Sequence, residues 1–363
     1  MEPGVKEIQN LKNTCYINSI VQLLAHVWPL KQVFCEVLTK ETIPENLELL
    51  ALFHQLYNEI WSENSIRIKP KAFVEKCYTL SPYFVPKTQQ DCQEFLMVFL
   101  DKLDQELMNS HPQGFSIISD TFKGAFTNEI KCTVCSFTTE KIEPFLQLDL
   151  SIPENAPSIR TIDCLMSAKE TMMISDSQHG LFSPLISVFS KEKATLNLYY
   201  CLKAFFQEQN TEAYCQQCQC EKLHIIHPKF TEPPKYFLIS LKRFKYNFWS
   251  SKVSDKVFVP KNLNLAHFSS LGFEYSLCAV IEHSGFLFRG HYKIYVNKLG
   301  QWWLLDDSKV EKVSWEDVFN AQTYICMYVR KDLCQRIPIE GSESIYCHKN
   351  ISMPSRFMPR NEE

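Results

Sequence analysis

The sequence predicts an α+β fold in which a helical lobe is followed by a β-rich lobe. Three observations predict it. Apolar residues recur at helical spacing through roughly the first 110 residues. After Gly114 apolar and polar residues alternate instead. Two Cys-x-x-Cys pairs, at 132–135 and 215–218, fall in turns within the alternating part.

The elements can be justified in order. Ile17, Ile20, Val21 and Leu24 form an apolar stripe after Thr14, a residue suited to capping a helix start. Leu47–Ile60 and Phe73–Cys77 continue the helical pattern. In "QQDCQEFLMVFLDKLDQEL", residues Phe95, Val98, Phe99, Leu103 and Leu107 make one stripe, with Asp91 and Glu94 in the first turn. From "FKGAFTNEIKC" onwards the chain reads as strands, through "YFLISLKRF", "YSLCAVIEHS", "HYKIYVN", "WWLLDD" and "YICMYVR". One helix, "NLYYCLKAFFQ", interrupts them. Residues 154–195, polar and without a sustained period, read as a surface insertion. Residues 332–363 read as a flexible tail.

Composition narrows the function classes. A net charge of −3 does not suit a nucleic-acid or anionic-membrane binder. No apolar run reaches the roughly 20 residues of a bilayer span, and the first residues do not read as a signal peptide. Fifteen cysteines without secretion point to buried thiols, metal ligands and a nucleophile in cytoplasm or nucleus, not to disulfides.

Cys132, Cys135, Cys215 and Cys218 form two short knuckles, and four thiolates in that pattern suit one tetrahedral zinc ion with no open position, hence structural. Cys220, His224 and His227 lie close enough in sequence to compete as ligands. Cys15 is a different case. It stands at the first turn of its helix, where unpaired N–H groups favour a thiolate, and an exposed thiol is expected there. A nucleophile needs a base, and a base needs an orienting group. His291 follows a glycine and enters a strand, and Asp306 or Asp307 beyond the turn at Gly300 could accept its second N–H. Asn10 offers an amide donor for an oxyanion. Of only nine glycines, Gly285 and Gly290 fall close together before His291, which suggests a mobile loop or a close backbone approach.

"NLKNTCYINSIVQLL", "QQDCQEFL", the two Cys-x-x-Cys pairs, "LISLKRF", "HSGFLFRGHYKIY" and "WWLLDDSKV" together resemble, in order and spacing, the ubiquitin-specific protease family of papain-like deubiquitinating cysteine proteases. The resemblance covers residues 4–331. It implies a hand-shaped fold, with a helical thumb (4–112), a β-rich palm, and zinc-ribbon fingers carrying the four cysteines. It implies Cys15 as nucleophile, His291 as general base, Asp306 as third triad member, Asp307 as an auxiliary polar group and Asn10 as oxyanion donor. Asp91 and Glu94 would face the basic C-terminal tail of ubiquitin, and Tyr292 would wall a channel for its glycines. "YNFWSSKVS" and "SGFLFRG" would border that tail. A monomer acting on ubiquitin or ubiquitin-conjugated proteins is expected, with one structural zinc and no organic cofactor.

Lys12 departs from the family pattern, which usually has glycine three residues before the nucleophile. If that position requires φ > 0, lysine costs about 1 kcal/mol or more there. Cys92 replaces a small apolar residue, and the 154–195 insertion has no family counterpart. Two alternatives remain open: a ubiquitin-binding scaffold without turnover, and a protease for a ubiquitin-like modifier.

Overall fold

A computed structural model describes residues 2–64, 67–110, 116–153, 195–245, 251–253, 255–269, 272–286, 289–339 and 342–347. Most of the expected insertion, the first five and the last residue of "YNFWSSKVS", the tip of "SGFLFRG" and the end of the tail lie outside the described residues.

The thumb holds α1 (Cys15–Ala25), α2 (Trp28–Gln32), α3 (Glu48–Trp61), α4 (Lys71–Tyr78) and α5 (Cys92–Ser110). A short parallel pair, β1 (Glu7–Ile8) and β2 (Arg67–Ile68), closes it. All eleven residues of α1 are buried, the mark of a central helix rather than the one-sided stripe expected. In α5 the stripe holds at Phe95, Phe99, Leu103 and Leu107, while Val98 is only half-buried and Leu96 and Leu100 complete the core face. Rings lock the helices together: Phe53 meets Phe34, Tyr57, Phe73 and Phe99 at centroid distances of 5.0–5.8 Å. The sequence gives no warning of α6 (Ile117–Phe122), which opens where only strands are expected. Ser116 starts it by accepting a hydrogen bond from Ser119 N at 2.8 Å.

The fingers are a four-stranded sheet in the order β4–β3–β8–β7, built from β3 (Gly124–Cys132), β4 (Thr138–Phe145), β7 (Gln209–Cys215) and β8 (Cys220–Glu232). Between them in sequence come β5 (Gln147–Ser151), β6 (Thr195–Asn197) and α7 (Leu198–Phe205). Three short strands, β10 (Phe244–Lys245), β11 (Ser251–Lys252) and β12 (Lys256–Phe258), follow later, and Thr195, placed in the insertion by sequence, instead opens β6, which pairs with β12.

The palm is an eight-stranded sheet. Its main path runs β17–β16–β15–β14–β18–β9–β5, with β13 also on β14. These strands are β9 (Tyr236–Lys242), β13 (Asn262–Asn264), β14 (Glu274–Phe286), β15 (Arg289–Lys298), β16 (Gln301–Asp306), β17 (Lys309–Val313) and β18 (Thr323–Arg330). Only β5–β9 is parallel. Alternate side chains serve two cores. Tyr292, Ile294 and Val296 join the thumb helices, whereas Val280, Tyr295 and Cys326 pack beneath β6 and α7 on the other face. Burying each large apolar side chain contributes roughly 1.5–3 kcal/mol, so the double-sided sheet is the rigid platform. Residues 332–363, expected as a flexible tail, begin with an antiparallel hairpin, Cys334–Ile339 with Ser342–Cys347. Apolar residues two apart (Ile337, Ile339) supply a strand period that the charged and proline-rich composition masks.

Candidate active site

The nucleophile candidate is set by a strained turn. Lys12 and Asn13 both adopt left-handed conformations, with φ of 68° and 59°. The lysine thus carries the expected penalty of about 1–2 kcal/mol. Thr14 does not cap α1 with its side chain. Its hydroxyl accepts from Leu11 N at 2.9 Å, and its N–H donates to Asn10 Oδ1 at 3.2 Å. This loop delivers Cys15 as the first residue of α1. Contrary to the expectation of an exposed thiol, Cys15 is 1% exposed. The Gln89 amide covers it, with Nε2 at 3.8 Å and Oε1 at 4.0 Å from the sulfur.

The candidate base, His291, arrives from the palm. The β15–β16 register pairs Ile294 with Leu305. Continuing it sets Asp306 opposite Lys293, two residues along from His291, so histidine and carboxylate lie diagonally on one face. His291 Nε2 and Asp306 Oδ1 are 2.5 Å apart. Hydrogen bonding to Asp306, and next to Cys15, raises His291 to about 10 against the opposing effect of burial. The same bond pulls the Asp306 carboxyl down. The tight turn at Leu299 and Gly300, both with positive φ, makes this hairpin possible. The glycine cluster marks a close approach: a Cβ on Gly290 would stand 2.0 Å from His283 Nε2.

Asp307 ties the palm to the thumb. Its carboxylate accepts from Asn10 Nδ2 and Asn18 Nδ2, each at 2.7 Å, and its carbonyl accepts from Ile8 N at 2.9 Å. Burial raises its carboxyl, and the two amide bonds oppose that. Asn10 therefore spends one of its two amide N–H groups on Asp307. Asn18 and Gln89 escaped the sequence reading. A buried asparagine one turn after Cys15 in an otherwise apolar helix was the available signal for the first. Gln89 opens the quoted block "QQDCQEFL", but its place beside Cys15 could not be read because the two are 74 residues apart in sequence.

The expected substrate-facing residues diverge. Glu94 is exposed. Asp91 is not in the first turn of α5 but precedes it, capping Gln93 N at 2.7 Å and accepting from Tyr324 OH at 2.6 Å. Burial raises its carboxyl. Tyr292 is 1% exposed and packs on His283 at 4.4 Å and Tyr324 at 5.9 Å.

The four finger cysteines converge within 4.8 Å of one another, with Cys135–Cys215 at 3.5 Å and Cys132–Cys218 at 4.0 Å. Tetrahedral zinc with bonds of about 2.3 Å sets its sulfurs about 3.8 Å apart, so the cluster fits, while a disulfide at about 2.05 Å does not. Each knuckle ends in a left-handed residue, Ser136 or Gln219. The proposed competitors stay outside the cluster. Cys220 points its thiol at Cys218 O, His224 meets Lys222 O, and His227 pairs with Glu208.

The family model for ubiquitin carboxyl-terminal hydrolase matches residues 7–328. The chain belongs to the ubiquitin carboxyl-terminal hydrolase family. Among curated relatives, ubiquitin carboxyl-terminal hydrolase 44-A of Xenopus laevis is 24% identical, over 94% of this chain and 60% of its own length. Human ubiquitin carboxyl-terminal hydrolase 2 is 27% identical, over 90% of this chain and 55% of its own length. The chain thus spans 60% or less of these hydrolases. In fold it is similar to Ubp8 in the SAGA DUB module with Sgf11, Sus1 and Sgf73, bound to monoubiquitin. That match has a TM-score of 0.71 at 20% identity, covering 91% of this chain and 70% of the other. A ubiquitin aldehyde complex of that module matches with a TM-score of 0.70. The hand-shaped α+β fold of this hydrolase family is therefore the fold of this chain.

Proposed function

We propose that this chain is a deubiquitinating cysteine hydrolase that cleaves the thioester, peptide or isopeptide bond after the C-terminal glycine of ubiquitin. The observation that carries the reading is the convergence of Cys15, His291 and Asp306 from opposite ends of the sequence. Residues 4–331 form the catalytic unit, acting as a monomer on ubiquitin-conjugated proteins in cytoplasm or nucleus.

The chemistry follows from the charges. An imidazolium stabilised to about pH 10 is the counter-ion that a sulfur anion needs. The Cys15 sulfur adds to the glycine carbonyl, and the oxygen becomes an oxyanion facing the free Asn10 N–H and the open N–H groups at the start of α1. His291 gives its proton to the lysine nitrogen, the C–N bond breaks, and a thioester remains. Water then attacks, His291 takes its proton, and the C–S bond breaks to release the carboxylate. Asp306 holds the ring throughout. Asp307 acts by holding Asn10, not by touching substrate. Glu94 is the exposed acid suited to the basic tail, while Asp91 would first have to exchange its Tyr324 bond. Tyr292, 1% exposed, offers the glycines little surface as it stands. Cys132, Cys135, Cys215 and Cys218 would hold one zinc ion that supplies structure and no chemistry.

Fluorogenic esters or amides of ubiquitin and of Gly-Gly-ended ubiquitin-like modifiers test this directly. Turnover of the ubiquitin substrate is expected, with the others at least 10²-fold slower. Turnover confined to a ubiquitin-like substrate would refute the substrate assignment, and binding without turnover would leave the scaffold reading.

A further inference from the structure

We infer that the Gln89 side-chain amide is a further catalytic residue, a second side-chain donor to the oxyanion at Cys15. The inference rests on the hydrolase reading above and deepens it at the same site.

Gln89 is 7% exposed, and the Cys15 sulfur is the only polar partner its side chain has among the described residues. Buried amides ordinarily find strong partners. Gln22, in the neighbouring helix, does so by donating to Lys6 O at 2.8 Å. At 3.8 Å from sulfur, the Gln89 nitrogen makes at most a weak contact, so its N–H groups are free for something else. The oxygen of a tetrahedral adduct sits two bonds from the sulfur. An amide nitrogen in the next shell around that sulfur can reach it at the roughly 2.7–3.1 Å that an oxyanion donor requires.

The position is also fixed. Asn13 Nδ2 donates to Lys87 O at 2.9 Å, tying the turn before Cys15 to the turn before Gln89. That bond and the burial of both side chains hold Gln89 beside Cys15. Asn10 is less free, since Asp307 holds one of its two N–H groups at 2.7 Å. Two amides, from Asn10 and Gln89, thus share the work of stabilising one oxygen.

Gln89→Ala and the near-isosteric Gln89→Glu test the inference, because a glutamate keeps the shape and, when ionised, cannot donate. Ubiquitin aldehyde, whose adduct with Cys15 carries an oxygen where the oxyanion forms, is the probe. Both variants are expected to lower kcat about 10²-fold with little change in KM, and to weaken aldehyde binding by a similar factor. Ubiquitin binding, measured in a Cys15→Ala background, is expected to stay unchanged, which also shows that the fold survives. Unchanged kcat, or equal losses in aldehyde and plain ubiquitin binding, would overturn the role. Failure of the wild-type chain to bind the aldehyde would instead sink the hydrolase reading and this inference with it, so that arm is run first.

Discussion

Replacing Cys215 with serine, or stripping metal with a chelator, is expected to unfold the finger sheet while the palm persists. The sheet has little core. Every residue of β4 is exposed or half-buried, and β7 buries only Cys215. Cys132 and Cys215, from strands far apart in sequence, are themselves among its few buried residues. Zinc binding to small cysteine-rich folds is worth about 10–16 kcal/mol, comparable to the whole 5–15 kcal/mol of a typical domain. Hydrogen exchange should show lost protection in β3, β7 and β8 first. Metal analysis should return about one zinc per chain, falling well below that in Cys215→Ser. Equal protection with and without chelator would remove the metal from the account.

Asp306→Asn is expected to lower kcat by about 10⁴-fold with a modest effect on KM. The amide cannot stabilise the imidazolium, and it favours a ring tautomer with its proton in the wrong place. The pH dependence should change with it. His291 is raised to about 10 in the folded chain, so its contribution to stability is complete below the unfolded pKa of about 6.5. That contribution is lost as pH climbs from there to about 10. Asp306 works oppositely: its lowered carboxyl contributes above its ordinary range and loses that contribution in acid. Denaturant unfolding at pH 6 and pH 10 should therefore show an alkaline loss in wild type that Asp306→Asn largely lacks. His291 is 41% exposed, so solvent screening keeps the change small. An equal slope in both proteins would contradict the pairing.

The sequence was most readable where chemistry and local pattern coincide. Cys15 at a helix start, His291 after a glycine and Asp306 beyond a tight turn each carry a local signal, and hairpin geometry unites the last two. The left-handed backbone at Lys12 was also legible, because the family pattern has glycine there. What escaped depends on packing between distant segments. Asn18 reads as a blemish in an apolar helix until Asp307 is set beside it. Gln89 is one polar residue in a polar run until Cys15 lies underneath. Asp91 looks like a free acid until Tyr324, 233 residues away, donates to it. Helix α6 was hidden because six residues are too few to establish a period.

The measurement that tests the central claim most directly is labelling of the folded chain by a ubiquitin whose C-terminus carries an electrophile, read by intact mass and peptide mapping. The account predicts one adduct at Cys15, absent in Cys15→Ala and much slower in His291→Ala. An unlabelled Cys15 in folded protein, or an adduct on another of its cysteines, would contradict it.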